Sequence, residues 1–433
     1  MLSRIKRLLP QPIKEWLRPL KNKWIDNPRK RKLFLHMQKQ HQALLQQIKG
    51  KEKIKVVFLA IHKSVWKVDS VFKKMLDDPF FEPLILVCPY TPYGEERMRQ
   101  DMQECYEYFQ DKGYPVLYSY HEEENRWITL KEIQPDIVFF TNPHNLTRKE
   151  YYEDAYLNYL SCYVPYYSDI ASAHDPQSSY NQFFHNAVWR IFYGDKISID
   201  NAKKYSMTKG VNCRCFGSVF LESFFYSDVS YTGWKSKDKK RIVYAPHQSI
   251  VKENNLHLST FLQVADFMVY LARKYKDKVE WSFKPHPILK SKLYKHPEWG
   301  RERTDLYYSF WENSDVSHVN SGDYIGLFKS TDAVMHDCGS FILESLLSGK
   351  PSAYLYFNGK DQVAAINEFG LELISYHQVL ESLTGIEAFV NGIIDGEYTK
   401  NLDCKNFLEN QIYPFYKASK PSDMILSELK RCH

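Results

Sequence analysis

Short apolar runs alternate with amphipathic stretches through the N-terminal half of the chain. Strand-type runs occupy 55–61, 84–87, 115–118, 136–140, 163–167 and 211–216. Segments of helical character lie between them, at 65–76, 95–112 and 183–193. Strands that alternate with helices predict a parallel sheet with helices on both of its faces.

The same alternation returns in the C-terminal half. Strand-type runs occur at 241–245, 279–284, 316–320, 333–336 and 352–356, and a long helix is expected at 256–276. The polar stretch 226–240 has no periodicity and is typical of a linker. We therefore predict an α/β protein with two Rossmann-like domains, 54–225 and 241–403, joined by the linker 226–240. A helical segment precedes them at 1–53, and a C-terminal helix follows at 404–433.

One turn in the second domain has the composition of a phosphate-binding turn. Residues 337–351 follow a short apolar run and precede another, which predicts strand, tight turn, helix and strand. Gly339 and Ser340 open that helix, where free backbone N–H groups and the helix dipole favour an anion. Glu344 follows one helical turn later and suits ribose hydroxyls. The alternative is an ordinary βαβ unit, with Ser340 and Gly349 as helix caps.

Two further strands of this half end in polar residues. Lys284 and His286 follow the run 279–283, and His247 and Ser249 follow the run 241–245. Ligands of open α/β sheets bind beyond the carboxyl ends of the strands, so these side chains are candidates for a shared site. The alternatives are a structural role for His286 and a simple loop position for His247.

The order of these motifs resembles a known family. Tyr-Ala-Pro at 244–246, Lys-Pro-His-Pro at 284–287 and Asp-Cys-Gly-Ser at 337–340, with Lys-Pro at 350–351, resemble the bacterial CDP-glycerol glycerophosphotransferases. These enzymes of teichoic-acid and capsule synthesis have the GT-B fold, in which two Rossmann-like domains face a cleft. The resemblance covers about 240–360 well and the N-terminal half in layout only. It implies transfer of a polyol phosphate, glycerol phosphate first, from a CDP-polyol to a membrane-linked glycan or polyol acceptor, with release of CMP and without a cofactor.

The resemblance also suggests roles for individual residues. His286 matches the family histidine that contacts the donor phosphate, and Asp337 and Ser340 match the family's turn, with Cys338 and Gly339 replacing its middle pair. The arginine that often follows Tyr-Ala-Pro is absent here, and the chain has no His-Gly dipeptide, which in the family supplies the base for the acceptor. The expected donor-binding residues are His247, Ser249, Lys284, Asp337, Gly339, Ser340 and Glu344.

The acceptor base is expected in the first domain. Asp169 and His174 follow the run 163–167, and either can take a proton from an acceptor hydroxyl; His144 is a third candidate. A solvated loop is the alternative for each of them. No two-histidine or Asp-x-Asp metal pattern is visible, so we expect activity without a protein-bound metal.

The charge of the chain is concentrated at its start. The net charge is +6, but residues 1–55 contain 16 Lys and Arg against 3 Asp and Glu, and the remainder is mildly acidic. This distribution argues against a nucleic-acid partner. An apolar stripe from Leu2 to Trp24 lies among the basic residues, which favours a helix on an anionic membrane surface. Packing on the protein's own domain or on a partner is the alternative.

These patterns predict a cytoplasmic enzyme that lies peripherally on the inner face of the cell membrane. No run of about 20 apolar residues is present, and the eight cysteines include no Cys-x-x-Cys pair, as in reduced cytosolic proteins. A GT-B glycosyltransferase that uses a nucleotide sugar in capsule or O-antigen synthesis is the alternative function, and a scaffold without activity is a third hypothesis. The sequence leaves open the polyol, the acceptor, single or repeated transfer, and the oligomeric state.

Overall fold

The computed structural model describes residues 20–166, 175–226, 230–253, 256–320, 322, 324–398 and 401–432. The chain divides into two compact units. Within the described residues, unit 1 comprises 20–166, 175–220 and 419–432, and unit 2 comprises the described part of 221–418.

Fifteen strands are present in the described part of the chain. Those of unit 1 are β1 Ile54–Ala60, β2 Phe81–Val87, β3 Val116–Tyr118, β4 Tyr120–His121, β5 Arg126–Trp127, β6 Ile137–Phe140, β7 Leu160–Tyr163, β8 Arg190–Tyr193 and β9 Cys213–Cys215. Those of unit 2 are β10 Lys240–Ala245, β11 Val279–Phe283, β12 Ser317–Val319, β13 Ala333–His336, β14 Ser352–Leu355 and β15 Gln378–Leu380.

The α-helices are numbered along the chain. The first eight lie in unit 1: α1 Asn27–Ile48, α2 Asp69–Asp77, α3 Glu95–Asp111, α4 Leu130–Ile133, α5 Glu153–Asn158, α6 Pro176–Tyr180, α7 Phe183–Ala187 and α8 Lys196–Tyr205. The next eleven lie in unit 2: α9 Glu222–Tyr226, α10 Phe261–Lys274, α11 Leu289–Tyr294, α12 Gly300–Asn313, α13 Ile325–Ser330, α14 Phe341–Leu347, α15 Lys360–Ala364, α16 Glu368–Ser375, α17 Leu383–Asp395, α18 Leu402–Phe407 and α19 Pro414–Lys417. The last, α20 Pro421–Arg431, returns to unit 1.

Two π-helical turns and four 3₁₀ turns complete the described elements. The π turn Asn22–Asp26 leads into α1, and the π turn Leu408–Ile412 lies between α18 and α19. The 3₁₀ turns are Lys63–Val65, Thr91–Tyr93, Lys149–Tyr151 and Val219–Leu221.

The sheet of unit 1 is parallel and buried on both faces. Its order is β3-β2-β1-β6-β7-β8-β9, and β4 and β5 form a separate antiparallel hairpin. Successive residues of β1 point to opposite faces: Phe58 enters one apolar core, and Val57 and Leu59 enter the other. A strand with apolar residues on both sides is typical of a sheet covered by helices on both faces.

The C-terminal helix completes one of these two cores. Ile425, Leu426 and Leu429 of α20 are buried among the residues that cover one face of the unit 1 sheet. Glu428 on the same helix accepts hydrogen bonds from Arg190 Nε at 3.1 Å and Arg214 Nε at 2.9 Å, on β8 and β9. The helix α20 therefore packs as part of unit 1.

Unit 2 contains a second parallel sheet, in the order β12-β11-β10-β13-β14-β15. The chain first builds outward from β10 through β11 to β12, and then crosses back to place β13 on the other side of β10. The carboxyl ends of β10 and β13 thus flank the point where the strand order reverses. Open α/β sheets bind their ligands at this position.

The polar stretch before β10 is attached to this sheet. Within 230–239, the backbone N–H groups of Lys235 and Ser236 donate to the Glu280 carboxylate on β11, at 2.7 and 2.8 Å. Tyr231 Oη lies 2.7 Å from His318 Nε2 on β12. The described part of the predicted linker therefore packs as part of unit 2.

Two sequence predictions within unit 1 are wrong. The segment 183–193 was expected to be one helix, but α7 ends at Ala187 and β8 begins at Arg190. The strand expected at 163–167 is β7, which ends at Tyr163 before Pro165. Both errors concern short aromatic runs, for which helix and strand have similar patterns, and proline ends the strand pairing.

The N-terminal apolar stripe lies outside the described residues except for its last positions. Leu20 is 47% exposed and Trp24 is 70% exposed. In the described part of the chain, no helix combines the length and the apolarity needed to cross a bilayer.

Candidate functional site

The carboxyl ends of three neighbouring strands of unit 2 bring several predicted site residues together. His247 and Ser249 follow β10, His286 follows β11 and Asp337 follows β13. His286 N donates to the Pro246 carbonyl at 3.0 Å, which joins the segments after β10 and β11.

Asp337 joins the β10 and β13 ends. It is fully buried. Its Oδ1 accepts from His247 N at 2.6 Å, and its Oδ2 accepts from Thr260 N at 2.6 Å and Thr260 Oγ1 at 2.9 Å. Burial raises the pKa of Asp337 to about 6, and these three donors oppose that rise. Both carboxylate oxygens are therefore engaged by the protein's own groups.

His247 and His286 form a pair of imidazoles at this edge. Their ring centres lie 5.2 Å apart with the planes at 73°. His286 Nδ1 accepts from Ile288 N at 3.4 Å, so the neutral ring carries its proton on Nε2. His247 Nδ1 accepts from Ser249 N at 3.3 Å and lies 2.8 Å from Ser249 Oγ, which assigns the same tautomer. Each ring thus has an Nε2–H donor without a protein acceptor in the described part of the chain.

Both imidazoles are neutral at physiological pH in the free protein. Burial, with a further contribution from His286, lowers the pKa of His247 to about 3. Burial, with a further contribution from Lys292, lowers the pKa of His286 to about 4. The neutral ring is therefore the resting form of His286, the residue that the resemblance places at the donor phosphate.

The turn after β13 has the predicted shape but no side-chain cap. Ser340 is exposed, and its hydroxyl lies 3.3 Å from Cys338 Sγ without capping α14. The Gly339 N–H has no acceptor in the described part of the chain, and a Cβ atom at Gly339 would lie 3.3 Å from Leu258 Cδ1. A side chain at this position would require Leu258 to shift by a few tenths of an ångström.

Lys284 and Glu344 lie in a second cluster. Lys284 Nζ donates to Asn320 Oδ1 at 2.8 Å and to the Gly322 carbonyl at 2.9 Å, and it lies 5.6 Å from the centre of the Tyr324 ring. Tyr324 Oη in turn donates to Glu344 Oε1 at 2.8 Å. Tyr324 therefore links the two residues that the sequence suggested as donor ligands.

Beneath the turn lies a buried polar chain that sequence reasoning missed. His336 Nδ1 accepts from Cys338 N at 3.2 Å, and His336 Nε2 lies 3.2 Å from Ser345 Oγ. Ser345 Oγ lies 2.9 Å from His377 Nε2, and His377 Nδ1 lies 3.0 Å from the Leu373 carbonyl. With protons on His336 Nε2, Ser345 Oγ and His377 Nδ1, each of these four contacts has one donor and one acceptor, and both rings are neutral. Burial lowers the pKa of His377 to about 4 and that of His336 well below its ordinary value.

The predicted acceptor bases Asp169 and His174 lie outside the described residues. His144, the third candidate, follows β6 in unit 1, and its Nδ1 lies 3.0 Å from Gln182 Nε2. Unit 1 also contains two cavities, of about 480 Å³ and about 420 Å³. Asn145, Asp175 and Gln182 line the larger cavity, and Arg99, Trp127 and Arg148 line the smaller one.

Among the described residues, no group of three or more His, Cys, Asp or Glu side chains is arranged to hold a metal ion. No protein-family model matches the chain, and neither does any curated protein.

Solved structures share the fold. The Staphylococcus aureus MnaA–UDP structure aligns with a TM-score of 0.53 and 14% identity, over 88% of this chain and 96% of that one. The Neisseria meningitidis UDP-GlcNAc 2-epimerase bound to UDP-GlcNAc aligns with a TM-score of 0.54 and 13% identity, over 88% of this chain and 100% of that one. The chain therefore has a GT-B-like fold of two Rossmann-like units. At these identities the likeness shows the fold alone.

One of the missed residues had a signal in the sequence. Asn320 follows a strand, just as His247, His286 and Asp337 do, and the rule that found those residues also applies to it. Thr260 and Tyr324 had no comparable signal, because their roles depend on contacts with residues 77 and 20 positions away in the chain.

Proposed function

We propose that this chain is a transferase whose nucleotide-linked donor binds at the carboxyl edge of unit 2. The specific reaction proposed is transfer of a polyol phosphate from a CDP-polyol to a membrane-linked glycan or polyol acceptor, with release of CMP. The observation that carries it is the pair of Nε2–H groups on His247 and His286 beside the turn at Gly339.

This arrangement suits a phosphate group better than a cation. Both imidazoles present donors, and the Gly339 N–H adds a backbone donor at the next strand end. Asp337 places no free carboxylate oxygen in the site, because the protein's own groups occupy both. We assign Asp337 as a positioning residue that fixes the His247 backbone, rather than as a direct donor ligand.

The proposed step exchanges one phosphorus–oxygen bond for another. The acceptor hydroxyl oxygen attacks the phosphorus that carries the polyol, the bond to the bridging diphosphate oxygen breaks, and CMP leaves with the electron pair. Charge grows on the CMP phosphate, and preorganised N–H donors stabilise such charge. The acceptor proton passes to a base, for which Asp169 and His174 stay the predicted candidates.

The low pKa of His286 is compatible with this role. A neutral imidazole donates one hydrogen bond from Nε2 without needing a charge. A bound diphosphate adds negative charge beside the ring and raises its pKa, so the ring becomes easier to protonate when the donor is present. In its neutral form His286 supplies a hydrogen bond from Nε2, and after uptake of a proton from solvent the imidazolium passes that proton to the departing phosphate.

The second candidate function is a glycosyltransferase that uses a nucleotide sugar. Glu344 favours it, because a carboxylate one helical turn after a phosphate turn suits ribose hydroxyls, and Tyr324 holds this carboxylate in place. The shared fold with a protein solved with UDP and with an epimerase bound to UDP-GlcNAc also supports a nucleotide-linked substrate.

The acceptor is proposed to be membrane-linked because of the N-terminal segment. Residues 1–55 contain 16 Lys and Arg against 3 Asp and Glu, a net charge of +13, and Leu20, Trp24 and Ile25 are exposed in the described part of this segment. Basic and apolar side chains together favour the surface of an anionic bilayer. Loss of binding to vesicles with phosphatidylglycerol after deletion of residues 1–19 is the expected result.

A donor screen tests the proposed reaction. Purified protein is incubated with CDP-glycerol, CDP-ribitol or a panel of UDP-sugars, each with a lipid-linked acceptor fraction, and nucleotide release and product linkage are measured. CMP release with a new phosphodiester supports polyol-phosphate transfer. UDP release with a new glycosidic bond establishes the second candidate and excludes the first.

A further inference from the structure

The larger cavity of unit 1 contains a lysine in an unusual environment. Lys30 is only 5% exposed and lies in the wall of the cavity of about 480 Å³. Its Nζ has no hydrogen-bond acceptor and no ion-pair partner in the described part of the chain. Lys30 Nζ lies 5.6 Å from the centre of the Phe183 ring. The Lys30 side chain is buried, but its ammonium group is not among the fully enclosed polar atoms and lies at the cavity wall, where a ligand can reach it.

The neighbouring acidic groups do not neutralise Lys30 directly. Asp26 is paired with Lys21 at 2.5 Å. Asp175 caps α6 by accepting from Gln177 N at 3.0 Å. Both carboxylates attract Lys30 at longer range, yet burial is the larger effect and lowers the pKa of the ammonium group.

A second unsatisfied donor lies close to Lys30. His185 is 1% exposed, and its Nδ1 accepts from Gln182 N at 3.2 Å, so Nε2 carries the ring proton. This Nε2 is buried and has no hydrogen-bond partner among the described residues. The charge of Lys30 contributes to the low pKa of His185, which burial lowers to about 3. His185 itself does not line the cavity, whose wall contains the carboxylates of Asp26, Glu153 and Asp175 beside the ammonium groups of Lys21 and Lys30.

The rest of the wall is suited to hydroxyl groups. Amide side chains of Asn22, Asn145 and Gln182 combine hydrogen-bond donors with acceptors, and the carboxylate of Glu153 accepts hydroxyl hydrogens. Tyr152 and Phe183 add aromatic surface. A cavity of this size, with aromatic walls and a few polar groups, is typical of a small-molecule site.

The helix entering the cavity also departs from regular geometry. Asn22, Asp26 and Lys30 follow one another at four-residue intervals and lie in the cavity wall. The first two bound the π turn Asn22–Asp26, and short π segments within α-helices are frequent at functional sites. This deviation is independent of the buried charge.

We propose that this cavity binds a sugar or polyol bearing one anionic group, a phosphate or a carboxylate, with Lys30 as the ligand of that group. The amide and carboxylate side chains bind its hydroxyls. The assignment of this cavity as the acceptor site of the enzyme rests on the proposed function. Binding of the anionic ligand is independent of that function, because it requires neither a donor nor turnover.

Binding is measured by calorimetry on the full chain, with glucose 6-phosphate, glucuronate, sn-glycerol 3-phosphate and neutral glucose as probes. At least one anionic probe is expected to bind about tenfold more tightly than glucose, because a hydrogen bond between an ammonium group and an anion is stronger than one to a neutral hydroxyl. The phosphate and carboxylate probes distinguish the two anionic groups. Equal binding of all four probes, or no binding at all, overturns the proposal.

Lys30→Met is the decisive variant, and Lys32→Met is its matched control, because Lys32 is exposed on the same helix. K30M is expected to lose the preference for the anionic probe, and K32M is expected to keep it. In the ligand-free protein, K30M should melt at a higher temperature than wild type, because burial of the Lys30 side chain disfavours its charge more than Asp26 and Asp175 favour it. Wild-type binding by K30M overturns the proposal.

A measurement on the wild-type protein covers the case in which K30M fails to fold. The side-chain amide resonances of Asn181 and Gln182, both in the cavity wall, should shift when the tightest anionic probe is added. Unchanged resonances at saturation overturn the proposal. Binding without any transferase activity would support this site and contradict the proposed function, so the two failures are distinguishable.

Discussion

The carboxyl edge of the unit 2 sheet and the cavity-bearing side of unit 1 differ in how completely the protein satisfies its own polar groups. In unit 2, Asp337 is fully buried with both oxygens engaged, and the two imidazole Nδ1 atoms accept local backbone N–H groups. In unit 1, Lys30 and His185 are buried without hydrogen-bond acceptors in the described part of the chain. The first region is preorganised, and the second contains hydrogen-bond donors that the described part of the protein does not satisfy.

This difference indicates two strategies for binding charged substrates. A preorganised edge fixes its donors before the ligand arrives and loses little entropy on binding. A site with unsatisfied buried groups carries a stability cost that the ligand relieves. Substitutions that remove one of the engaged polar groups should therefore destabilise unit 2, whereas substitutions that remove an unsatisfied donor should stabilise unit 1.

The largest expected effect follows substitution of the imidazole in the preorganised region. His286→Ala should lower turnover by about 100-fold or more, because it removes a donor aimed at developing charge. Circular dichroism should show an unchanged fold, since His286 is only half-buried.

His296→Ala is the matched control for this variant. His296 also precedes a proline and also accepts an N–H two residues later, from Glu298 at 3.3 Å, but it follows no strand. Its removal should leave turnover within about twofold of wild type, because surface substitutions of this kind have small effects. Equal losses in both variants would contradict the assignment of His286.

The next largest effect concerns the residue that links two strand ends. Asp337→Asn replaces an acceptor of two N–H groups with an amide that matches them less well, and it should destabilise unit 2 by about 2 kcal/mol. Urea unfolding monitored by tryptophan fluorescence measures this loss. A variant as stable as wild type would show that the three bonds to Asp337 do not hold the turn together.

The smallest effect is a difference in acid sensitivity between the units. Burial lowers the pKa of His247, His286, His336 and His377 in unit 2, whereas their unfolded value is near 6.5. Below pH 6.5 the unfolded state therefore binds more protons, and stability falls as the pH drops toward 4. Asp337, with a raised pKa, acts in the opposite direction.

Hydrogen exchange measured by mass spectrometry at pH 7 and pH 5, corrected for intrinsic rates, tests this expectation. Peptides from β10, β11 and β13 should lose more protection than peptides from β1 and β2. Unit 1 contains fewer histidines of this kind among its described residues, with His41 and His185 as the clearest cases. Equal losses in both units would remove this distinction between them.

The strands near the candidate site were predictable because they are short and continuously apolar. Residues 241–245, 279–284 and 333–336 correspond to β10, β11 and β13 within one residue at each end. A strand that is buried on both faces has a short continuous apolar run, whereas an amphipathic helix mixes apolar and polar residues, so the two patterns are easily distinguished. The polar residues that follow these strands then became visible as candidates.

The sequence was less informative where long-range packing decides the structure. The short strand β15, with two of its three residues exposed, and the hairpin β4–β5 had no clear pattern. The buried chain from His336 to His377 joins residues that are 41 positions apart. Lys30 reads as one basic residue among many in a basic segment, and only the packing of α1 beside α7 shows that it is buried. Contacts of this kind have no local signature.

The position of α20 has a consequence for how the protein is made. Unit 1 buries Ile425 and Leu429, and Glu428 bridges Arg190 and Arg214 on two of its strands. Because the ribosome adds these residues only after those of unit 2, unit 1 cannot complete its core until unit 2 has emerged. A fragment ending at residue 220 should therefore expose the apolar surface that α20 covers, and its expression should require the last helix to be supplied in trans.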